Sequence, residues 1–243
     1  MPDTRTVHDM HVHSTFSDGR NSIAENVAEA ERLGLVELTC VDHVRESTDW
    51  VPAYVAAVAE ARGHTALTLH CAVEAKILDT EGRLDLPGDL RGVDAIYAAD
   101  HQVPTAGGPQ DPAAVRTLIA DGAVAADAVV EALVAATVAA VRRYDGVVIA
   151  HLFSVLPKLG LAEDAVPLAL IDELAAAAAD RGARIEVDER WSCPSAQTLR
   201  PFLARGVPLL LSTDSHRRET IGRFAYCLDV VRELEATATP VAS

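Results

Sequence analysis

A chain of 243 residues with a formal charge of −15, from 36 Asp and Glu against 21 Lys and Arg, repels a phosphate backbone and has no basic patch for counterion release. That balance argues against long nucleic acid as a partner. A composition of 49% apolar and 23% charged residues is globular and excludes a disordered or collagen-like chain. The length suits one substantial core, read as a single domain over residues 1–243, and with 4% aromatics that core must be aliphatic.

In chain order, the opening MPDTRTVHDMHVH lacks the apolar stretch of a secretion signal, and a first β-rich segment follows at 7–10. A helix is predicted at 22–33, opened by a capping box in which Ser22 and Glu25 satisfy each other's free backbone donors. Strand segments at 36–41, 66–72, 93–98, 146–150, 183–187 and 207–211 then alternate with helical segments at 53–61, 125–143, 166–181, 195–204 and 221–235. Gly34, Gly146, Gly182 and Gly206 stand where helices should stop. The stretch 103–112, VPTAGGPQDP, has two glycines and three prolines and is expected to be a loop, either a lid near the site or a passive surface excursion. The alanine run at 175–179 reads as helix propensity on a face that needs little volume, and Asp229, Glu233 and Glu235 as a solvated outer surface. Alternation of this kind predicts an α/β barrel of seven parallel strands with outer crossover helices.

Cys40, Cys71, Cys193 and Cys227 form no C-x-x-C pair and no compact disulfide spacing. They are expected to be reduced thiols of a cytoplasmic protein. No run approaches ~18 uninterrupted apolar residues, so no membrane association is expected.

The chemistry-bearing residues recur at the same place in each strand-helix unit. His11 and His13 follow the first predicted strand, Asp42 and His43 the second, Glu74 the third and His101 the fourth. His151 follows the fifth, Glu186 and Asp188 the sixth, and Asp214 and His216 the seventh. In a closed parallel barrel these C-terminal ends converge on one face. Neutral imidazoles and carboxylates are ligands for Zn, Mn or Fe, and no thiolate belongs to the set. The spacings His11-Val12-His13 and Asp214-Ser215-His216 put both side chains of each pair on one side of an extended segment. Asp18, in the turn Ser17-Asp18-Gly19, can add a ligand from the first loop. Six of the nine histidines sit at predicted strand ends. His70 shares parity with Glu74 but reads as a hydrogen-bonded structural histidine, and His8 and His64 as surface or packing residues.

The string HVHSTFSDG at 11–19, the VDH ending in His43, the VE ending in Glu74, single histidines at His101 and His151, and the TDSH ending in His216 resemble the PHP family, named for polymerase and histidinol phosphatase. The motifs run in family order from about residue 7 to 216. The resemblance implies a distorted (β/α)7 TIM-like barrel with two or three divalent ions. His11, His13, Glu74 and Asp214 would hold one ion, while Glu74 would share a second with His101 and His151. Asp18, His43 and His216 would hold the third, Asp18 standing near a position where some members carry histidine. Asp42, beside a ligand, is expected to orient an imidazole by accepting its other N–H.

The implied activity is hydrolysis of a small phosphomonoester by a hydroxide formed on the metals, with histidinol phosphate as one family substrate. Lys158, after His151, and Arg190, after the sixth strand, are the cations expected to grip non-bridging oxygens or else are solvated loop charges. Trp191 either walls the pocket or simply packs. Family phosphatases often have Asn where Asp188 stands, and a carboxylate there would repel phosphate unless it met a metal or a cationic substrate group. Two other readings stay open: hydrolysis of an amide or lactone in a specialised pathway, and a non-catalytic metal-binding accessory module. The negative charge disfavours an exonuclease.

Overall fold

The computed structural model describes residues 7–238. Seven strands hydrogen-bond in chain order: β1 (His8–Val12), β2 (Glu37–His43), β3 (Thr68–Lys76), β4 (Ala95–Ala99), β5 (Val148–Ile149), β6 (Arg184–Asp188) and β7 (Leu209–Ser212). Every neighbouring pair is parallel. The ring is nearly closed just beyond β7, where the His13 N–H donates to the Ser215 carbonyl at 2.8 Å and the Ser215 N–H returns a bond to the His11 carbonyl at 3.2 Å. The expected seven-stranded α/β barrel is therefore present.

Around it lie α1 (Ile23–Leu33), α2 (Val51–Arg62), α3 (Pro112–Ala120), α4 (Ala126–Arg143), α5 (Leu156–Leu159), α6 (Leu168–Asp180), α7 (Ala196–Ala204) and α8 (Tyr226–Ala238). The Ser22–Glu25 capping box starts α1, and Gly34 ends it at φ 76°. Helices α3 and α5 were not foreseen. In α3, Asp111 caps the first turn, accepting from the Ala113 and Ala114 N–H groups at 2.9 and 3.2 Å, and Pro112 sits where its missing donor costs nothing. The Gly/Pro stretch before it is pinned to itself, with Val103 and Gln110 exchanging backbone hydrogen bonds at 3.1 and 2.8 Å.

The first three strands run farther toward the mouth than their apolar patterns suggested, while β5 is shorter than the expected 146–150. His11 lies inside β1, Asp42 and His43 end β2, and Glu74 lies inside β3. Polar residues near the barrel mouth keep ladder partners, such as His43 opposite Glu74. The ladder overrides side-chain polarity there because each backbone donor still needs an acceptor.

Two apolar layers support the mouth. Inside the barrel, Val41, Ala72, Tyr97, Ala99, Val148 and Ala150 form a small buried cluster. Tyr97 closes it by donating its hydroxyl to the Met10 carbonyl at 2.6 Å. Outside, Leu38, Cys40, Val73, Ile149, Ile185 and Val187 belong to the continuous core that the helices cover. Ala175, Ala177 and Ala178 of α6 and Ala136 and Ala140 of α4 are buried in that core, and small side chains let these neighbouring helices approach closely. All four cysteines are buried and unpaired. Among the described residues no helix is long and apolar enough to cross a membrane.

Gly82 and Gly146 separate two costs of a left-handed residue. Both have positive φ, 72° and 68°, but a Cβ on Gly82 would lie 2.1 Å from the Ala140 nitrogen, whereas one on Gly146 would meet nothing within 4 Å. Gly146→Ala is expected to lose about 1–2 kcal/mol, and Gly82→Ala more than about 4 kcal/mol or the fold itself. Urea denaturation midpoints check the ranking.

Candidate metal centre

Glu74 organises the mouth. Its side chain is buried, and its two oxygens face two sets of imidazoles. Oε1 lies 2.8 Å from His151 Nε2 and 3.2 Å from His101 Nε2. Oε2 lies 2.8 Å from His43 Nδ1, 3.6 Å from His11 Nε2 and 3.7 Å from His13 Nε2. Asp214 approaches the same group from beyond β7, its Oδ1 2.9 Å from His13 Nε2 and 3.9 Å from His11 Nε2. On the solvent side, Asp18 Oδ1 lies 3.2 Å from His216 Nε2, 3.6 Å from His43 Nε2 and 3.8 Å from His13 Nδ1. All nine predicted ligand residues thus come together, and His43 and His13 each stand between two subgroups.

The donor set fits cations. His11 Nε2, both ring nitrogens of His13 and Glu74 Oε2 are buried and, despite contacts as short as 2.8 Å, none has a partner in hydrogen-bond geometry, a costly state for ligating atoms that face one another. Three groupings of site residues, His11/His13/Asp214, His43/Glu74/His101 and His13/Asp18/His43/His216, each place ligand atoms within 4.8 Å of one another. Burial, followed by the nearby His11 charge, pushes the His13 pKa down to about 3, so this imidazole is neutral with a lone pair to offer. Burial opposes ionisation of Glu74, yet the surrounding imidazoles, His101 and His43 foremost, hold its carboxyl well below the usual range. Burial likewise opposes ionisation of Asp214, and the contact with His13 together with the electrostatic pull of the His11 and His13 imidazoles outweighs it, lowering that carboxyl.

The backbone is bent to present two of these groups. His151 and Asp214 have positive φ, 27° and 47°, a sparsely populated region that recurs at functional sites.

Asp42 does not orient an imidazole, contrary to the expectation from its place beside His43. Its Oδ1 accepts the Ser14 and Ser17 N–H groups at 3.0 and 3.2 Å, and its Oδ2 accepts the Ser14 hydroxyl at 2.6 Å. It therefore shapes the turn that carries Asp18. Gly19 closes that turn against the chain, since a Cβ there would lie 2.6 Å from the His13 carbonyl carbon. The orienting groups are other carboxylates. Glu186 pairs with His11 Nδ1 at 2.9 Å and accepts the His151 N–H at 2.9 Å, which leaves His11 Nε2 facing the centre. Asp100 takes the Ser154 hydroxyl at 2.7 Å and lies 3.5 Å from His151 Nδ1. Glu186 stood out as a strand-end residue but without a role, and Asp100 was missed. Its signal was the Asp-His dipeptide at 100–101, which repeats that at 42–43.

Above the imidazoles opens a cleft of about 660 Å³, lined among others by Phe16, Trp50, Gln102, Lys158, Arg190 and Trp191. Arg190 Nη1 lies 3.2 Å from Asp214 Oδ2. The Trp191 indole N–H donates to the same oxygen at 2.9 Å, and Lys158 Nζ sits 4.2 Å from the centre of that ring. Trp191 is thus a wall of the cleft. Asp188 is buried, accepting the Trp191 N–H at 2.8 Å; burial, then the nearby Asp214 and Glu186, raise its pKa to about 8. None of residues 103–112 lines the cleft, which favours the surface excursion over a lid. His70 and His8 pair with Glu37, at 2.6 and 2.7 Å, away from the cleft.

No protein-family model and no curated protein matches the sequence. Solved structures do match it. Histidinol phosphate phosphatase (HisK) from Lactococcus lactis, determined with zinc, L-histidinol and phosphate, is similar over 95% of this chain and 93% of its own, with TM-score 0.67 and 18% identity. This chain shares the phosphatase's fold. A proposed histidinol phosphatase HisK from Listeria monocytogenes is similar over 89% of this chain and 97% of its own, with TM-score 0.58 and 14% identity. The likeness to the Lactococcus phosphatase spans nearly the whole chain, but at these identities it speaks for the barrel alone.

The centre makes a distinction that metal analysis can read. Glu74→Gln is expected to weaken metal retention about 100-fold or more, because both oxygens serve several imidazoles. Asp42→Ala, acting only through the Asp18 turn, is expected to weaken it by no more than about 10-fold. Elemental analysis after dialysis against graded chelator checks both.

Proposed function

We propose that this chain is a PHP-family hydrolase that cleaves a small phosphomonoester with the help of two or three divalent ions, Zn, Mn or Fe. One observation carries the reading. Buried, unpartnered imidazole and carboxylate atoms converge at the floor of a cleft whose site-facing Arg190 and Lys158 are cationic. His11, His13, Glu74 and Asp214 would hold one ion, Glu74, His101 and His151 a second, and Asp18, His43 and His216 the third. Ions held there supply Lewis acidity, which acidifies water and polarises phosphoryl oxygens.

The chain's own groups do the rest. Glu186 and Asp100 fix imidazole orientation from behind, and Asp42 fixes the Asp18 turn. Arg190 and Lys158 offer donors to non-bridging oxygens, as charge-assisted hydrogen bonds. Trp191 holds Lys158 over the cleft and shields Asp214 from water. Asp188 had been the objection to a phosphate substrate, and it is buried behind Trp191 instead of lining the cleft. That removes the main support for an amide or lactone substrate, and no expected ligand is missing, as an accessory module would require. Four buried, unpaired cysteines suit a reducing cytoplasm.

Phosphate release from a panel of monoesters tests the proposal. Chelation is expected to abolish turnover and divalent ions to restore it, while His13→Ala and Asp214→Ala lose both turnover and bound metal. Lys158→Ala is expected to raise KM about 10-fold with kcat nearly unchanged, the mark of an interaction made equally in the ground and transition states. Full turnover by metal-free protein would overturn the mechanism.

A further inference from the structure

A second cleft, of about 480 Å³, shares Asp18, Arg190, Asp214 and His216 with the first and therefore adjoins the candidate metal centre. Its remaining charged lining is Arg20, Arg217, Arg223 and Glu189. Glu189 is turned to other work: its oxygens accept the N–H groups of Ala225, Tyr226 and Cys227 at 2.9, 3.1 and 3.0 Å, at the start of α8. Arg190 is held by Asp214. Three guanidinium groups remain.

In a chain with 36 carboxylates, many surface arginines find one, while Arg45, Arg116, Arg143 and Arg184 stand on separate segments without an ion pair among the described residues. Arg32 pairs with Glu29, Arg62 with Asp94, Arg91 with Asp89, and Arg205 with Asp172. Arg218, beside the cleft, pairs with Glu219. Among the described residues no carboxylate lies within ion-pair distance of Arg20, Arg217 or Arg223. Three unmatched arginines in one cleft of an acidic protein concentrate positive potential where nothing in the fold consumes it.

The loops that carry them are fastened together and to the centre. The Arg20 N–H donates to the His216 carbonyl at 2.9 Å, and the Arg218 N–H to Asn21 Oδ1 at 3.0 Å. The Thr220 hydroxyl donates to the Arg217 carbonyl at 2.8 Å, the Arg223 N–H to the Thr220 carbonyl at 3.2 Å, and the Gly222 N–H to the buried Asp9 carboxylate at 2.9 Å. None of these bonds uses a guanidinium. The three side chains are left free for an external anion, on a scaffold already ordered.

We infer that this cleft binds a second anionic group of the substrate, so that the phosphomonoester cleaved carries another phosphate or a carboxylate. The inference rests on the phosphoesterase reading and narrows it. A cationic ester such as histidinol phosphate would set its ammonium in the same field as three unpaired guanidiniums, whereas a doubly anionic ester would match them.

Calorimetric titration of the metal-replete, full-length protein with alkyl phosphonates of three to six carbons tests this, the far end of each being methyl, ammonium, carboxylate or phosphonate. At the best chain length, the phosphonate or carboxylate ends are expected to bind about 10-fold or more tighter than methyl, and ammonium no tighter than methyl. The phosphonate and carboxylate arms decide which anion is preferred. Arg20→Gln, Arg217→Gln and Arg223→Gln should each reduce the anionic advantage several-fold and together erase it, with affinity for the methyl-ended ligand unchanged. Equal affinity for all ends, tighter binding of ammonium, or equal losses for methyl-ended and anionic ligands in the variants would overturn the inference. Phosphate release from alkyl phosphates of three to six carbons ending in carboxylate or phosphonate, run in parallel, tests the underlying reading separately: its absence from all of them with the anionic binding preference intact would sink the phosphoesterase proposal and leave the cleft standing as an anion site.

Discussion

A buried carboxylate that five imidazoles approach is the constraint on which the rest of this molecule depends. Glu74 is out of water in the middle of the barrel mouth, where a lone negative charge would cost several kcal/mol. Its neighbours His11, His13, His43, His101 and His151 come from four other segments of the chain, each delivered by its own strand end. Imidazoles alone do not settle the account, because His13 is driven neutral by burial and His11 Nε2 and Glu74 Oε2 have no hydrogen-bond partner. A cation between them resolves both problems at once, since it neutralises the carboxylate and accepts the orphaned lone pairs.

That demand explains how the surrounding polar residues are deployed. The acids behind the imidazoles do different tasks although they look alike in sequence. Glu186 faces His11 and the His151 backbone, Asp100 faces Ser154 and His151, and Asp42 faces only the serines of the first loop. Each fixes one geometry that the centre needs. Positive φ at His151 and Asp214 is a conformational cost that a well-ordered surround can sustain. Trp191 links the two halves of the site, touching Asp214 through its indole N–H, Asp188 through its backbone and Lys158 through its ring face.

The fold was legible because its signals are local. Seven apolar segments separated by helical ones and punctuated by glycines mark a parallel barrel, and the ligand types at the strand ends mark the mouth. What escaped were facts set by pairing across the chain. Helix α3 hid behind Asp111 and Pro112, where a proline that reads as a loop residue instead opens a helix. Strand ends ran on through His11, His43 and Glu74 because ladder partners, absent from any local window, outweigh polarity. Asp42 was assigned to an imidazole by adjacency, but consecutive residues of a strand point to opposite faces. Its carboxylate therefore turns away from the side that His43 occupies and meets Ser14 and Ser17. The same rule could have turned Glu186 and Asp188, already marked at the end of the sixth strand, inward together, since they share a parity on β6.

Net charge is an argument about long polyanions and a poor guide to the site, because the two operate over different distances. At physiological ionic strength the field of scattered surface carboxylates is screened within about 8 Å. A small ligand in a cleft responds to the groups that line it. Here the charged groups, apart from the candidate ligands and the engaged Glu189, are arginines and lysines. Carboxylates elsewhere on the surface pair with many of the other arginines, such as Arg32, Arg62, Arg91 and Arg205, but with none of the three in the second cleft. A protein with net charge −15 can in this way repel polyanions at long range while holding a small anion at contact, and the distinction follows from where charges are paired rather than from how many there are.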